Sequence, residues 1–246
     1  GLCTAAIVKG IQNDGRICAT VKHFVCNDLE HERLSSNSVV SERALREIYL
    51  EPFRIAVQLA NPICIMTAYN KVNGIHCSEN YQLIENILRK EWNWDGLLMS
   101  DWFGTYSTLN SLKHGIDIEF PGPSQFRRWD TIKHLLQSKA DNLKQTDIDN
   151  HCRHILKVIK SLIESNGTTL FSKVEDSLND KPETSEKLRR AAAEGIVLLK
   201  NERKVLPLLK ETPVLVIGPN AISLNTYSGG GSASLTPYHI VTPLQG

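Results

Sequence analysis

Short β-rich apolar runs that alternate with stretches of helical period constrain this chain more than any other feature. Residues 18–22, 63–69 and 96–100 are too short and too β-rich to be helices, and 116–120 is a weaker fourth run of the same kind. Between the first two, residues 41–60 place Leu45, Ile48, Tyr49, Phe53 and Val57 on one helical face. Pro52 should kink or split that helix, because its ring removes an N–H donor and clashes with the preceding turn. Residues 81–92 form the next predicted helix, with Leu83, Ile84, Ile87 and Leu88 facing inward, and 105–114 a short one after the third strand. The clearest period is over 147–165, where Ile148, Cys152, Ile155, Leu156, Ile159, Leu162 and Ile163 share a face and Gly167 supplies a stop. Strand and helix in this alternation predict an α/β fold with a parallel sheet.

The rhythm breaks at residues 165–185, which are rich in Ser, Thr, Asn, Asp and Lys and contain Pro182. That composition reads as a linker. A helix from 185 to about 200 follows, and then 213–219 reads as a compact buried strand opening a second α/β unit. The total of 246 residues, 41% of them hydrophobic, is enough for one (β/α)8 barrel of about 250 residues or for two smaller domains. The chain starts at Gly1 without an initiator Met and stops at Gly246 inside the second unit, so a fragment is expected.

Charge and cysteine usage narrow the classes of function. A net charge of +1 with no block of like charge argues against a nucleic-acid or anionic-membrane surface. Apolar runs fall far short of the roughly 20 residues that span a bilayer. Six Cys, at 3, 18, 26, 64, 77 and 152, make no CxxC and share no metal-ligand spacing with the eight His. Free, mostly buried thiols are expected, and His151 and His154 read as solvated surface. Gly229-Gly230-Gly231-Ser232 lacks the Gly-Lys of a phosphate loop, and neither G-x-G-x-x-G nor G-x-S-x-G occurs. The Asn166-Gly167-Thr168 sequon does not by itself assign a compartment, and nothing in the sequence fixes an oligomeric state.

In parallel βα folds the functional groups gather at the C-terminal ends of the strands. Here those ends carry Lys22-His23, Tyr69-Asn70, Ser100-Asp101 and Glu119, a polar rim suited to a sugar. Trp102, Phe103 and Tyr106 add aromatic faces, whereas Trp92 and Trp94 read as packing residues that close the preceding helix. Each rim residue also has a plainer reading: Asp101 as the N-terminal residue of the helix after it, Lys22 and His23 as an ordinary strand end. Spacing alone leaves these open.

Longer runs carry a family likeness. Lys22-His23-Phe24-Val25-Cys26-Asn27 through Arg33, Met66-Thr67-Ala68-Tyr69-Asn70 through Gly74, and Leu98-Met99-Ser100-Asp101-Trp102-Phe103-Gly104 resemble glycoside hydrolase family 3, in its fungal β-glucosidase branch. The likeness continues through His114–Gly122 and through Ala191–Asn201. It implies an incomplete TIM-type barrel over residues 1–164, a linker and connecting-helix start over 165–190, and the beginning of an α/β-sandwich domain over 191–246.

It also implies a retaining β-glucosidase that removes terminal non-reducing β-D-glucosyl residues through a covalent intermediate. By that resemblance Asp101 matches the nucleophile, Lys22 and His23 the pair that binds sugar hydroxyls, and Tyr69 the tyrosine beside the nucleophile. Met66 matches a pocket-lining residue and Trp102 the aromatic wall on the aglycone side. The acid/base glutamate would come from beyond residue 246. No metal or organic cofactor is expected, because the mechanism needs only carboxylates and water.

Departures refine the branch. Phe24 is followed by Val25-Cys26-Asn27 and not by the Pro-Gly of the N-acetylhexosaminidase branch. Trp102 follows Asp101 where the β-xylosidase branch tends to have Cys, and Phe120 stands where Met is usual before Pro121-Gly122. Three other readings stand beside this one: a β-xylosidase or other family 3 β-glycosidase, a Schiff-base lyase at Lys22, and a non-catalytic sugar-binding protein.

Overall fold

The computed structural model describes residues 1–166, 181–223, 234 and 237–246. Residues 167–180 of the predicted linker, the Gly-rich run at 229–231 and the last two residues of the sequon lie outside the described residues. Two compact units divide the chain, Gly1–Ser172 and Lys173–Gly246.

In the first unit, helix α1 (Leu2–Gln12) leads through a turn into strand β1 (Thr20–Phe24). The predicted split at Pro52 is present. A single turn α2 (Glu42–Ala44) runs into a wide turn over Leu45–Tyr49, and helix α3 (Glu51–Ala60) starts afresh with Pro52 in its first turn. There the missing N–H has no intrahelical partner to lose. The wide turn is closed by Leu50 N–H donating to Leu45 O, five residues back. That extra residue per turn rotates Ile48 outward: it is exposed, although its period predicted an inward face.

Strands β3 (Cys64–Thr67) and β6 (Leu97–Met99) complete a parallel sheet in the order β1-β3-β6. All four residues of β3 are buried, as expected of an inner parallel strand covered on both faces. The weak fourth run contributes only one bridge, Met99 to Ile118. The described strands form an open parallel segment of TIM-barrel type. Between β3 and β6 a wide helix, Gln82–Glu91, buries Leu83, Ile84, Ile87 and Leu88 as predicted. With Phe24, Ile65, Leu98, Ile116 and Trp94 these make the core. Trp94 donates its indole N–H to Pro62 O at 2.7 Å, and Trp92 packs on the same core, so both act as packing residues. Gly96 is required there: a Cβ would lie 2.4 Å from the Trp94 ring.

A second, small sheet joins β2 (Asn37–Ser38), β4 (Lys71–Val72) and β5 (Ile75–His76). Strands β4 and β5 form a hairpin turned by Asn73 and Gly74, both at positive φ, the dipeptide that favours this turn.

After β6 come helices α4 (Thr108–His114), α5 (Trp129–Gln137) and α6 (Gln145–Asn166). On α6 the predicted face is wrong in part. Cys152 and Leu156 point to solvent, while His151 and His154 point inward. The reason is Asp117, a buried carboxylate that both imidazoles bond; satisfying it outweighs burying two more apolar groups.

In the second unit, helix α7 spans Pro182–Gly195. Residues 213–219 are not the buried strand that was predicted: Leu215 is 83% exposed and Ile217 is 82% exposed. Among the described residues no strand pairs with this run, and an apolar strand is buried only when it lies in a sheet whose faces are covered.

Candidate active site

Three strands deliver the candidate residues to one rim. Pairing register between β1 and β3 shifts between Val21 and Phe24, an irregularity of the kind that re-aims side chains. Lys22 and His23 lie within it, and His23 faces Asp101, two residues past β6: its Nε2 lies 3.2 Å from Asp101 Oδ2. The other oxygen, Oδ1, accepts the Trp102 backbone N–H at 2.7 Å. Asp101 retains 14% side-chain exposure. It does not cap the following helix, since α4 begins at Thr108 with Ser107 before it.

Tyr69, two residues past β3, completes this group. Burial, with the negative charge of the Asp101 carboxylate, pushes the Tyr69 phenol up to about 12, so the phenol stays protonated. His23 is held below the ordinary histidine value by burial, against the pull of Asp101 and with the Lys22 ammonium acting in the same direction as burial. A neutral imidazole and a protonated phenol thus face one carboxylate.

The remaining candidates fall around this centre. Met66 is buried on β3, paired with Met99. Trp102 is 50% exposed and stacks on Phe120 at 5.4 Å between centroids, 10° apart in plane; the Phe at 120 thereby supplies an aromatic floor. Lys22 is exposed and lines a groove with Ile7, Ile11, Pro52 and Phe53, so among the described contacts it influences His23 and is not bonded to Asp101.

Two rim residues are turned inward. Asn70 is fully buried and donates its amide to Val25 O, Ser38 Oγ and Lys71 O. Glu119 is buried and accepts the backbone N–H groups of Gln125, Phe126 and Arg127. Both serve the strand-end loops, because a strand end that carries the chain into a loop leaves backbone groups needing partners. Four polar strand ends therefore yield fewer polar side chains at the rim than predicted.

One residue was not singled out. Arg33, in the loop after β1, sets its guanidinium carbon 4.5 Å over the Tyr69 ring and donates to Glu30 at 2.7 Å. The Glu30-x-x-Arg33 spacing was its only signal. All six cysteines are free, with Cys26, Cys64 and Cys77 buried and Cys3 and Cys152 exposed. Burial pushes the three buried thiols to about 12, which leaves them unreactive. Among the described residues no group of three or more His, Cys, Asp or Glu is placed to hold a metal ion, and no helix is long and apolar enough to cross a membrane.

Comparison with known proteins places the chain. The model of the glycosyl hydrolase family 3 N-terminal domain matches residues 2–158, and that of the family's C-terminal domain matches residues 196–246. A β-glucosidase of Kluyveromyces marxianus is 54% identical over the whole of this chain, which covers 29% of that protein. A probable β-glucosidase I of Aspergillus niger is 50% identical, again with 29% of its length covered. The crystal structure of the Kluyveromyces marxianus β-glucosidase in complex with glucose matches with a TM-score of 0.90, 55% identity, and coverage of 100% of this chain and 29% of that one. β-Glucosidase 3B from Thermotoga neapolitana in complex with α-D-glucose matches at 0.83 and 34% identity, over 98% of this chain and 33% of that one. The chain thus spans about three-tenths of the length of these relatives, and it belongs to glycosyl hydrolase family 3.

Proposed function

We propose that this polypeptide supplies the nucleophile half of a retaining β-glucosidase, with Asp101 as the nucleophile. Residues 1–164 are the barrel part, 165–190 the connection and 191–246 the beginning of the second domain. The observation that carries this reading is the state of Asp101. One oxygen is held by the Trp102 backbone N–H at 2.7 Å, the other faces the His23 imidazole at 3.2 Å, and the side chain still keeps 14% of its surface open at the rim. A carboxylate aimed in this way and still reachable can attack.

In this reading Asp101 attacks the anomeric carbon and forms a glycosyl ester while a glutamate from outside these 246 residues protonates the leaving oxygen. Water then attacks the ester with the same glutamate as base, so the anomeric configuration is retained. His23 and Lys22 hydrogen-bond the hydroxyls of the glucosyl unit, Met66 lines its pocket, and Trp102 stacks on the aglycone. The glucose complex of the Kluyveromyces marxianus relative supports a glucosyl ligand.

Hydrolysis of an aryl β-glucoside by the whole polypeptide, followed by proton NMR, tests the mechanism: β-glucose should appear before mutarotation. First appearance of α-glucose contradicts it. Residues 1–246 alone should leave the same substrate essentially untouched, and rapid turnover by them would remove the need for an outside glutamate.

A further inference from the structure

The segment that carries Asp101 meets Tyr69 at both ends. At its start the Asp101 carboxylate acts on the Tyr69 phenol and helps to raise it. At its end the Tyr106 hydroxyl donates to the Tyr69 backbone carbonyl at 3.0 Å. That carbonyl has a second partner, His76 Nδ1, also at 3.0 Å. A carbonyl oxygen only accepts, so Nδ1 carries the hydrogen. The two donor rings reinforce each other: His76 and Tyr106 stack with centroids 3.4 Å apart and planes 11° from parallel. His76 is itself fixed by its place in β5, opposite Lys71 of the hairpin.

Between these two ends the chain is tight. Gly104 N–H donates to Asp101 O at 3.0 Å, and a Cβ at Gly104 would sit 3.3 Å from Tyr69 Cδ1. Phe103, with φ at +62°, occupies the left-handed region that a residue with a side chain enters at a cost. Such a turn keeps its shape only if its surroundings hold it, here through the Phe103 N–H donating to Phe120 O at 2.8 Å and, at the end of the turn, through the carbonyl of Tyr69.

We propose that Tyr106 and His76 are positioning residues for the nucleophile, which lock the turn Asp101–Tyr106 and Tyr69 into one unit through the Tyr69 carbonyl. Neither touches the reacting atoms. This rests on the reading of Asp101 as nucleophile. Loosening the carbonyl lets the turn and Tyr69 move against each other, so that the Asp101 carboxylate attacks from a less defined position.

The test uses the whole polypeptide and an aryl β-glucoside. Tyr106→Phe keeps the ring stack and removes only the hydroxyl; it should lower kcat about fivefold, the worth of one neutral hydrogen bond, with KM nearly unchanged. Tyr106→Phe with His76→Phe removes both donors and should lower kcat roughly thirtyfold. In both variants the folded protein should also be labelled by a 2-fluoro-glucoside more slowly, in step with the loss in kcat. A merely structural role would lower Tm and leave the labelling rate of the folded protein where it is. His76→Asn, whose amide can donate from the Nδ1 position, should restore most of the rate lost by His76→Phe. If the double variant does not fold, Tyr106→Phe decides alone. A wild-type protein labelled on Asp101 by a 2-fluoro-glucoside, with kcat and the labelling rate unmoved in these variants, overturns the positioning role. A wild type labelled elsewhere, or with no glycosidase activity, overturns the underlying reading instead.

Discussion

Asp101 lies two residues past β6 and Asp117 just before the bridge at Ile118, and they have been put to opposite uses. Asp101 keeps 14% exposure, and besides one backbone N–H its partners are a neutral imidazole and a phenol. Asp117 is 1% exposed: one oxygen accepts Arg89 and the Leu98 N–H, both at 2.7 Å, and the other accepts His151 at 2.9 Å and His154 at 2.7 Å. Burial alone would raise its pKa, but the two histidines and the Arg89 guanidinium hold Asp117 well below the usual carboxylate range. A carboxylate with every lone pair taken is a bolt, here fastening α6 to the sheet. One with a lone pair left toward solvent can attack. Residue type does not distinguish them, and their partners do.

Exchanging the two residues for neutral ones is the strongest way to break this contrast. Asp101→Asn should lower glycosidase activity of the whole polypeptide by roughly 10³-fold or more, as loss of a nucleophile does, with Tm changed little. Asp117→Ala should do the reverse. It strands Arg89, His151 and His154 around an empty buried position, a loss of about 3–5 kcal/mol read by chemical denaturation. A folded Asp117→Ala protein with wild-type stability would show that the bolt carries no load.

Acid titration sharpens the same point. Because the pKa of Asp117 is depressed in the folded state, its contribution is present above the ordinary carboxylate value of 3.8 and is lost as pH falls through the lower folded value. Stability of the wild type should therefore decline from about pH 5 downward, and Asp117→Asn should flatten that decline. An identical acid profile in the two proteins would assign the acid sensitivity to other groups. The smallest effect is expected at Trp102→Ala. The side chain is half exposed, so stability should hold within about 0.5 kcal/mol, while KM for an aryl glucoside rises several-fold through lost stacking. An unchanged KM would remove Trp102 from the aglycone side.

The fold was legible where apolar residues alone decide it. The inward faces of 81–92 and the buried strand 64–67 follow from periodicity, and the break at Pro52 follows from the chemistry of one ring. Polar partners hid the rest. His151 and His154 looked like surface because Asp117, far away in sequence, gives no local sign of pulling them in. Asn70 and Glu119 looked like rim residues because a strand-end position does not say whether the side chain turns to solvent or back to its own loops. The Asn73-Gly74 hairpin, whose strand β5 carries His76, had a readable turn signal that went unused. Asp101, His23 and Tyr69 were named through family resemblance, and the structure brings all three together; Lys22, from the same motif, is exposed beside His23 and acts on it.

The most direct measurement is to trap the whole polypeptide with an activated 2-deoxy-2-fluoro-β-glucoside and sequence the labelled peptide by mass spectrometry. The account predicts a fluoroglucosyl ester on Asp101 and none on Asp117 or Glu119. A label on either of those buried carboxylates, or full turnover by Asp101→Asn, would contradict it.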